Sequence, residues 1–329
     1  MTEIKKVLVG QYRFHPDAGA ELQRLDEAGF AVTYNETGAK YSEDDLVRVL
    51  PGHMAVIASG EPYNERVLAA APGLKVIARW GGGYDSVDVA AATRHSVAVA
   101  MAFGANHDAV ADLAFALMAG LATEMPRFHD MVAGGAWNSD WHGSLWRSTV
   151  GLVGLGRIGR AMVRRCQGFE MRVLAHDAQP DAAFAKAAGV EMVSLETLLH
   201  ESDFVSLHAP HTAETENMIN SRTLAWMKPT AYLINTARGG LVDEAALGRA
   251  LTTGRIAGAG LDVFRDEPPV GSPLLGIKAN VLYAPHWGSQ AGAADAGTAR
   301  LCVDAVLAID QGKSPAGDVL LNPEVVSGS

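Results

Sequence analysis

The chain has 329 residues, of which 48% are hydrophobic and 19% charged, and its formal net charge is −10. That length suffices for two domains, the apolar fraction excludes a disordered chain, and the acidic balance argues against a nucleic-acid partner, which requires a basic face. Two cysteines, Cys166 and Cys302, cannot build a disulfide framework, so a reducing cytoplasm is expected. The opening M-T-E-I-K-K-V-L-V-G carries an apolar run too short for a signal peptide. No run reaches the roughly 18 apolar residues that a membrane-spanning helix needs.

In chain order, short apolar runs alternate with helix-length patterns. Strands are expected over Lys6–Gly10, Ala31–Tyr34, Met54–Ser59, Leu74–Arg79 and Val97–Met101. Helices are expected between them, over Ala18–Ala28, Glu43–Val49, Asn64–Ala70 and Val87–Thr93. Such alternation gives a parallel sheet covered on both faces. Residues 107–133 then read as one long helix, with Val110, Leu113, Leu117 and Leu121 at helical spacing, bridging two modules. The segment G-G-A-W-N-S-D-W-H-G-S-L-W follows and has no core of its own. Its Trp137, Trp141 and Trp146 pack either within the chain or across a subunit interface. A second alternating series begins at Thr149. Its strands are Val150–Val153, Arg172–His176, Glu191–Val193, Phe204–His208, Ala231–Asn235, Gly258–Val263 and Val281–Ala284, and a last helix runs from about Ala293 to Gln311.

The second series opens V-G-L-V-G-L-G-R-I-G-R-A-M-V. Gly154, Gly156 and Gly159 form G-x-G-x-x-G between an apolar strand and an amphipathic helix. The first glycine permits the tight turn, the second the approach of a pyrophosphate, and the third close helix–strand packing. The helix start then offers N–H groups to the anion. Asp177 ends the next strand, 23 residues after Gly154, where it suits the adenosine ribose hydroxyls. It would repel a 2′-phosphate, and Ala178 and Gln179 supply no cation to accept one, so NAD is expected over NADP.

Three later strands each end in a polar group. Arg238 follows the first, in I-N-T-A-R-G-G-L-V-D. The second leads into Asp262 and Glu267, in A-G-L-D-V-F-R-D-E-P. His286 follows the third, in V-L-Y-A-P-H-W-G-S. Ligands of doubly wound sheets sit outside the carboxyl ends of the strands. An arginine can hold a carboxylate through two parallel hydrogen bonds. A histidine exchanges protons near neutral pH, and a neighbouring glutamate orients it and favours its charged form. Together these groups suit hydride transfer at a carbon that bears a hydroxyl and a carboxylate.

With these residues in place, the chain resembles the D-isomer-specific 2-hydroxyacid dehydrogenases, the family that includes phosphoglycerate dehydrogenase, glyoxylate/hydroxypyruvate reductase and formate dehydrogenase. The resemblance rests on V-G-L-G-R-I-G, H-A-P-H-T-A-E-T, M-K-P-T-A-Y-L-I-N-T-A-R-G-G-L-V-D-E-A-A-L, G-L-D-V-F-R-D-E-P and A-P-H-W-G-S, in the family's order. It implies two doubly wound parallel-sheet α/β domains, with a Rossmann NAD domain over 101–287 inserted into a flavodoxin-like substrate domain formed by 1–100 and 288–329. It implies that Arg238 grips the substrate carboxylate and keto oxygen, that Glu267 pairs with His286, and that His286 is the acid/base. It also implies cofactor contacts from Arg157 and Ile158 to the pyrophosphate, from Asp177 to the ribose, from Thr236 and Ala237 to the cleft and from Asp262 to the carboxamide. His208, Ala209, Pro210, Thr215 and Gly288 are further cofactor-side candidates. An NAD(H)-sensing corepressor on the same fold is the alternative. A homodimer is expected, and no nucleic-acid or membrane partner.

In A-R-W-G-G-G-Y-D-S-V-D, the turn at Gly81, Gly82 and Gly83 resembles the family loop that lends N–H groups to the substrate carboxylate, with Ser59 and Gly60 as companions. The chain departs from the family at Met101 and Phe103, at Trp287, and in Q-Y-R-F-H-P with Arg13 and His15, which are positions expected to set substrate identity. No His/Cys/Asp cluster has metal-ligand spacing.

Overall fold

The computed structural model describes residues 4–138, 140–277 and 280–327. The chain divides into two compact units, one made of Met1–Asn106 and Ser289–Ser329, the other of His107–Gly288. The sequence placed these divisions near residues 100 and 288.

The first unit holds a five-stranded, all-parallel sheet. Its strands are β1 (Lys6–Val9), β2 (Ala31–Tyr34), β3 (Ala55–Ala58), β4 (Val76–Arg79) and β5 (Ala98–Met101), in the order β2-β1-β3-β4-β5. This is the flavodoxin-like order. β1 shows why both faces are covered. Val7 and Val9 pack with Leu22, Leu25, Val303 and Val306 of the helices Pro16–Glu27 and Gly292–Asp310. Leu8 points the other way, into a cluster with Leu46, Val67 and Ala91. The helix starts are written locally. Ser42, Asn64 and Asp88 each accept a backbone N–H of the first turn. His15 caps the helix Pro16–Glu27 through its ring, and Pro16 fits the first turn because its missing N–H would have no helical partner there. His15 therefore has a structural task. Met101, expected at the substrate site, is 2% exposed within β5, where the pleat turns it into the core.

The second unit holds seven parallel strands: β6 (Thr149–Val153), β7 (Arg172–His176), β8 (Glu191–Met192), β9 (Phe204–Leu207), β10 (Tyr232–Asn235), β11 (Gly258–Leu261) and β12 (Asn280–Tyr283). Their order is β12-β11-β10-β9-β6-β7-β8. The strand order reverses at β6/β9, which is the topological switch point of a dinucleotide-binding sheet. Leu152 and Ile234 face Met118, Leu121 and Met162 on one side. Val153 and Leu233 face Leu198 and Leu247 on the other. Gly151 is needed inside β6 because a Cβ there would lie 2.4 Å from Leu198 and Ser202.

The single helix expected over 107–133 is two, His107–Ala122 and Met125–Ala133, bent by 63°. Glu124 between them is left-handed (φ 49°), and Pro126 stands in the first turn of the second helix. Pro126 has no N–H for the carbonyl one turn back and its ring crowds that carbonyl, so the first helix cannot run on, whereas in a new first turn the missing N–H loses no partner. The first piece packs on the unit's own sheet; the second buries none of its side chains. No single helix among the described residues is long and apolar enough to cross a membrane.

Candidate active site

The glycine turn sits at the β6/β9 switch point. Gly154 has φ +99°, and a Cβ there would strike the His208 carbonyl at 2.7 Å and the Ala209 nitrogen at 2.8 Å. A Cβ on Gly159 would lie 2.2 Å from the Gly154 oxygen. These two glycines are demanded by packing. Gly156 is different, because a Cβ there would meet no atom of the described residues within 4 Å, so packing does not explain its bareness. It is the N-cap of the helix Arg157–Gln167 and makes no side-chain cap hydrogen bond, and a helix start of this kind attracts an anion.

Asp177 follows β7, and its carboxylate accepts the N–H of Leu155 in the glycine turn (2.6 Å) and that of Gln179 (2.8 Å). The sequence reading missed a cation close to this turn. Arg160 donates to the Leu155 carbonyl (3.1 Å), but its guanidinium is paired with Asp181 at 2.9 Å. Across the switch point, two buried polar atoms find no hydrogen-bond partner among the described residues, Thr236 Oγ1 and His208 Nδ1. His208 Nε2 lies 2.9 Å from Ser206 Oγ. Burial pushes the His208 pKa down to about 4, which keeps the ring neutral near pH 7 and unsuited to proton exchange there. Thr215 knits its own loop, donating to the Pro210 carbonyl (2.8 Å) and accepting the Thr212 N–H (2.8 Å). An open glycine cradle, an uncapped helix start and orphaned polar atoms at one sheet edge suit a dinucleotide.

The reacting groups follow β10, β11 and β12, three adjacent strands. Arg238, half-buried, stands just past β10, where its Nη1 donates to the Ala237 carbonyl (2.6 Å). The two glycines behind it answer to their neighbours. A Cβ on Gly239 would lie 1.9 Å from the Phe264 backbone, and one on Gly240 would lie 2.5 Å from the His211 ring. The arginine segment is thereby packed backbone-to-backbone against the loop that carries Glu267. Asn235, which the sequence reading passed over, locks this bend: its Nδ2 donates to the Arg238 carbonyl (2.9 Å) and its Oδ1 accepts the Ala237 N–H (3.1 Å). The only signal for it was a polar residue closing an apolar strand.

Glu267 Oε2 is 2.7 Å from His286 Nδ1, and Oε1 accepts the Phe264 N–H at 3.2 Å. A carboxylate only accepts, so Nδ1 carries the hydrogen of this bond and Nε2 is turned outward. His286 has a left-handed backbone (φ 54°), which costs a non-glycine residue about 1–3 kcal/mol and persists only where surroundings enforce it. Asp262 supplies the enforcement. Its backbone carbonyl accepts the His286 N–H (2.8 Å), and its two carboxylate oxygens accept the N–H groups of Trp287 (2.6 Å) and Gly288 (2.9 Å). Asp262 is 1% exposed. In this structure its side chain holds the histidine turn. A second missed residue, Glu244, accepts the Arg265 N–H (2.8 Å) and the Ser272 hydroxyl (2.6 Å), pinning both flanks of the Glu267 loop; in sequence it reads only as a helix-start charge.

The other candidates lie in the first unit. Ser59 and Gly60 follow β3, and Gly81, Gly82 and Gly83 follow β4; of these Gly81 needs its glycine, with φ +120°. Trp287 is 56% exposed.

A family model described as "D-isomer specific 2-hydroxyacid dehydrogenase, NAD binding domain" matches residues 115–288. The chain is 42% identical over 273 residues to a glyoxylate reductase of Korarchaeum cryptofilum, covering 81% of each chain. Its structure is similar to that of a Thermus thermophilus protein, with a TM-score of 0.87, 34% identity and coverage of 96% and 99% of the two chains. It is also similar to an NADPH-dependent glyoxylate/hydroxypyruvate reductase from Sinorhizobium meliloti, with a TM-score of 0.82, 30% identity and coverage of 96% and 97%.

Proposed function

The chain belongs to the D-isomer-specific 2-hydroxyacid dehydrogenase family, and from that membership and the geometry of its site we infer that its substrate is a small 2-keto acid of the glyoxylate type, reduced at C2. It is an NAD-dependent enzyme that transfers a hydride between the nicotinamide and a 2-hydroxy or 2-keto acid. The observation that carries the role of each residue is the 2.7 Å Glu267–His286 contact on a turn enforced by Asp262.

NADH, when bound, supplies the hydride. Everything else is done by this chain. Arg238 holds the substrate carboxylate and polarises the keto oxygen. His286 donates the Nε2 proton to that oxygen as negative charge develops there, and recovers it from solvent. Glu267 fixes the ring and stabilises the imidazolium before the proton leaves. The backbone of Gly81, Gly82 and Gly83, with Ser59 and Gly60, serves the substrate carboxylate. The cofactor residues are Gly154, Gly156, Arg157, Ile158 and Gly159 for the pyrophosphate and Asp177 for the ribose, with Thr236, Ala237, Asp262, Gly288 and the loop His208, Ala209, Pro210 and Thr215 along the nicotinamide half. The unit His107–Gly288 serves the cofactor, and the unit made of Met1–Asn106 and Ser289–Ser329 serves the substrate. Both cysteines are buried and free, which suits a reducing cytoplasm.

A panel of 2-keto acids mixed with NADH, read at the absorbance of the reduced cofactor, should show turnover. His286→Ala should lower kcat by about 10²–10⁴ while NADH still binds. Activity near wild type in that variant would remove His286 from its role, and NADH binding without turnover of any acid by the wild type would favour a sensor.

The carboxylate of Asp177 at the glycine turn, with Arg160 already neutralised by Asp181, favours NAD over NADP. Asp177→Ala should raise the ratio of kcat/KM for NADPH to that for NADH about tenfold or more, because a like charge opposing the 2′-phosphate is removed. An unchanged ratio would place the discriminator elsewhere.

We propose a homodimer whose subunit contact uses the helix Met125–Ala133 together with Trp137 and Trp141. Trp137 and Trp141 are 90% and 94% exposed, with Met125 and Val132 beside them in sequence, an apolar display unusual for a monomer. Light scattering should give the wild type twice the chain mass, and Trp137→Ser with Trp141→Ser should shift it toward one. A monomeric wild type, or an intact dimer in the double variant, would contradict this.

A further inference from the structure

We propose that Asp295 is a positioning residue that fixes the Trp80–Gly83 turn for the substrate carboxylate; this rests on the assignment of that turn to substrate binding. Asp295 lies in the first turn of the helix Gly292–Asp310 and is 8% exposed. A carboxylate so nearly buried must be satisfied by donors. Its Oδ2 accepts the backbone N–H of His15 (2.5 Å), and its Oδ1 accepts the indole Nε1–H of Trp80 (3.0 Å). The helix start favours the negative charge.

The two donors come from different strands. His15 belongs to the loop after β1, and Trp80 directly follows β4. In the sheet, β3 is next to β1 and β4 is next to β3, so one carboxylate ties down the connections on either side of the strand that leads into Ser59 and Gly60. Trp80 is further secured through its backbone. Its N–H donates to the Ala58 carbonyl at the end of β3 (2.7 Å), and its own carbonyl accepts from Arg79 Nη1. Its ring sits 6.4 Å from that of Phe14, which belongs to the same loop as His15.

The need for this anchoring follows from what comes next. Three consecutive glycines have more backbone freedom than any other triplet, and Gly81 occupies a conformation (φ +120°) open only to glycine. N–H groups hold an anion tightly only when they are already in place. The turn cannot stiffen itself, so its order is set by the residue at its entry, and the far tip of that residue, the Trp80 indole nitrogen, is held by Asp295.

Asp295→Ala should raise KM for the keto acid about tenfold, the loss expected when a charged hydrogen bond disappears. It should leave kcat within about twofold and the NADH dissociation constant unchanged. Trp80→Phe keeps an aromatic ring but lacks the Nε1–H, and should give a similar rise. The double variant should be no worse than the poorer single one, since both remove the same contact. Hydrogen exchange of the peptide covering residues 79–84 should accelerate in each variant, a readout that does not depend on turnover. Should Asp295→Ala prove poorly folded, Trp80→Phe and Asp295→Asn carry the test. Wild-type KM and unchanged exchange, or additive effects in the double variant, would overturn the proposal. A wild type that turns over no keto acid while exchange still accelerates would instead overturn the reaction assignment.

Discussion

A histidine can give its proton in one direction only if its other nitrogen is held and its ring cannot swing. Here the holding is done by Glu267, 2.7 Å from Nδ1, and the swing is prevented by a backbone turn that a histidine does not adopt unaided. Asp262 enforces that turn through its own carbonyl and both carboxylate oxygens. Much of the second unit can be understood as support for this pair. Glu244 pins the loop that delivers Glu267. Gly239 lets the arginine segment lie directly on that loop, and Asn235 sets the bend that presents Arg238.

The same economy of parts governs the cofactor turn. Three glycines of one motif have two kinds of cause. Gly154 and Gly159 are excluded from bearing side chains by backbone atoms that are present in the protein. No described residue would obstruct a side chain at Gly156, so packing leaves that position open, as the approach of a pyrophosphate to the backbone requires. That contrast separates a nucleotide site from a tight bend between a strand and a helix, and it agrees with the family's NAD-binding domain spanning these residues.

Most of the architecture was legible because it is local. Apolar runs punctuated by glycine and short polar caps gave the strands and most helices. The polar ends of β10, β11 and β12 stood out because charged and titratable side chains close three apolar strands at the edge where ligands of such sheets sit. The break at Glu124 was masked by continued helical spacing on both sides, although Pro126 marked it. Met101 looked like a site residue because it stands where the family carries a polar one, yet the pleat of β5 turns it inward. Asp295 was hidden for another reason: its partners, His15 and Trp80, are 280 and 215 residues away in sequence, and nothing local announces the contact.

The measurement closest to the central claim is steady-state reduction of a 2-keto acid by NADH in Glu267→Gln, with both substrates saturating. The amide keeps the shape but can neither stabilise an imidazolium nor specify which ring nitrogen holds the hydrogen. The account predicts a fall in kcat of roughly 100-fold or more, with KM for the acid and NADH affinity little changed. A kcat equal to that of the wild type would show that the imidazole works without its carboxylate, contradicting the account.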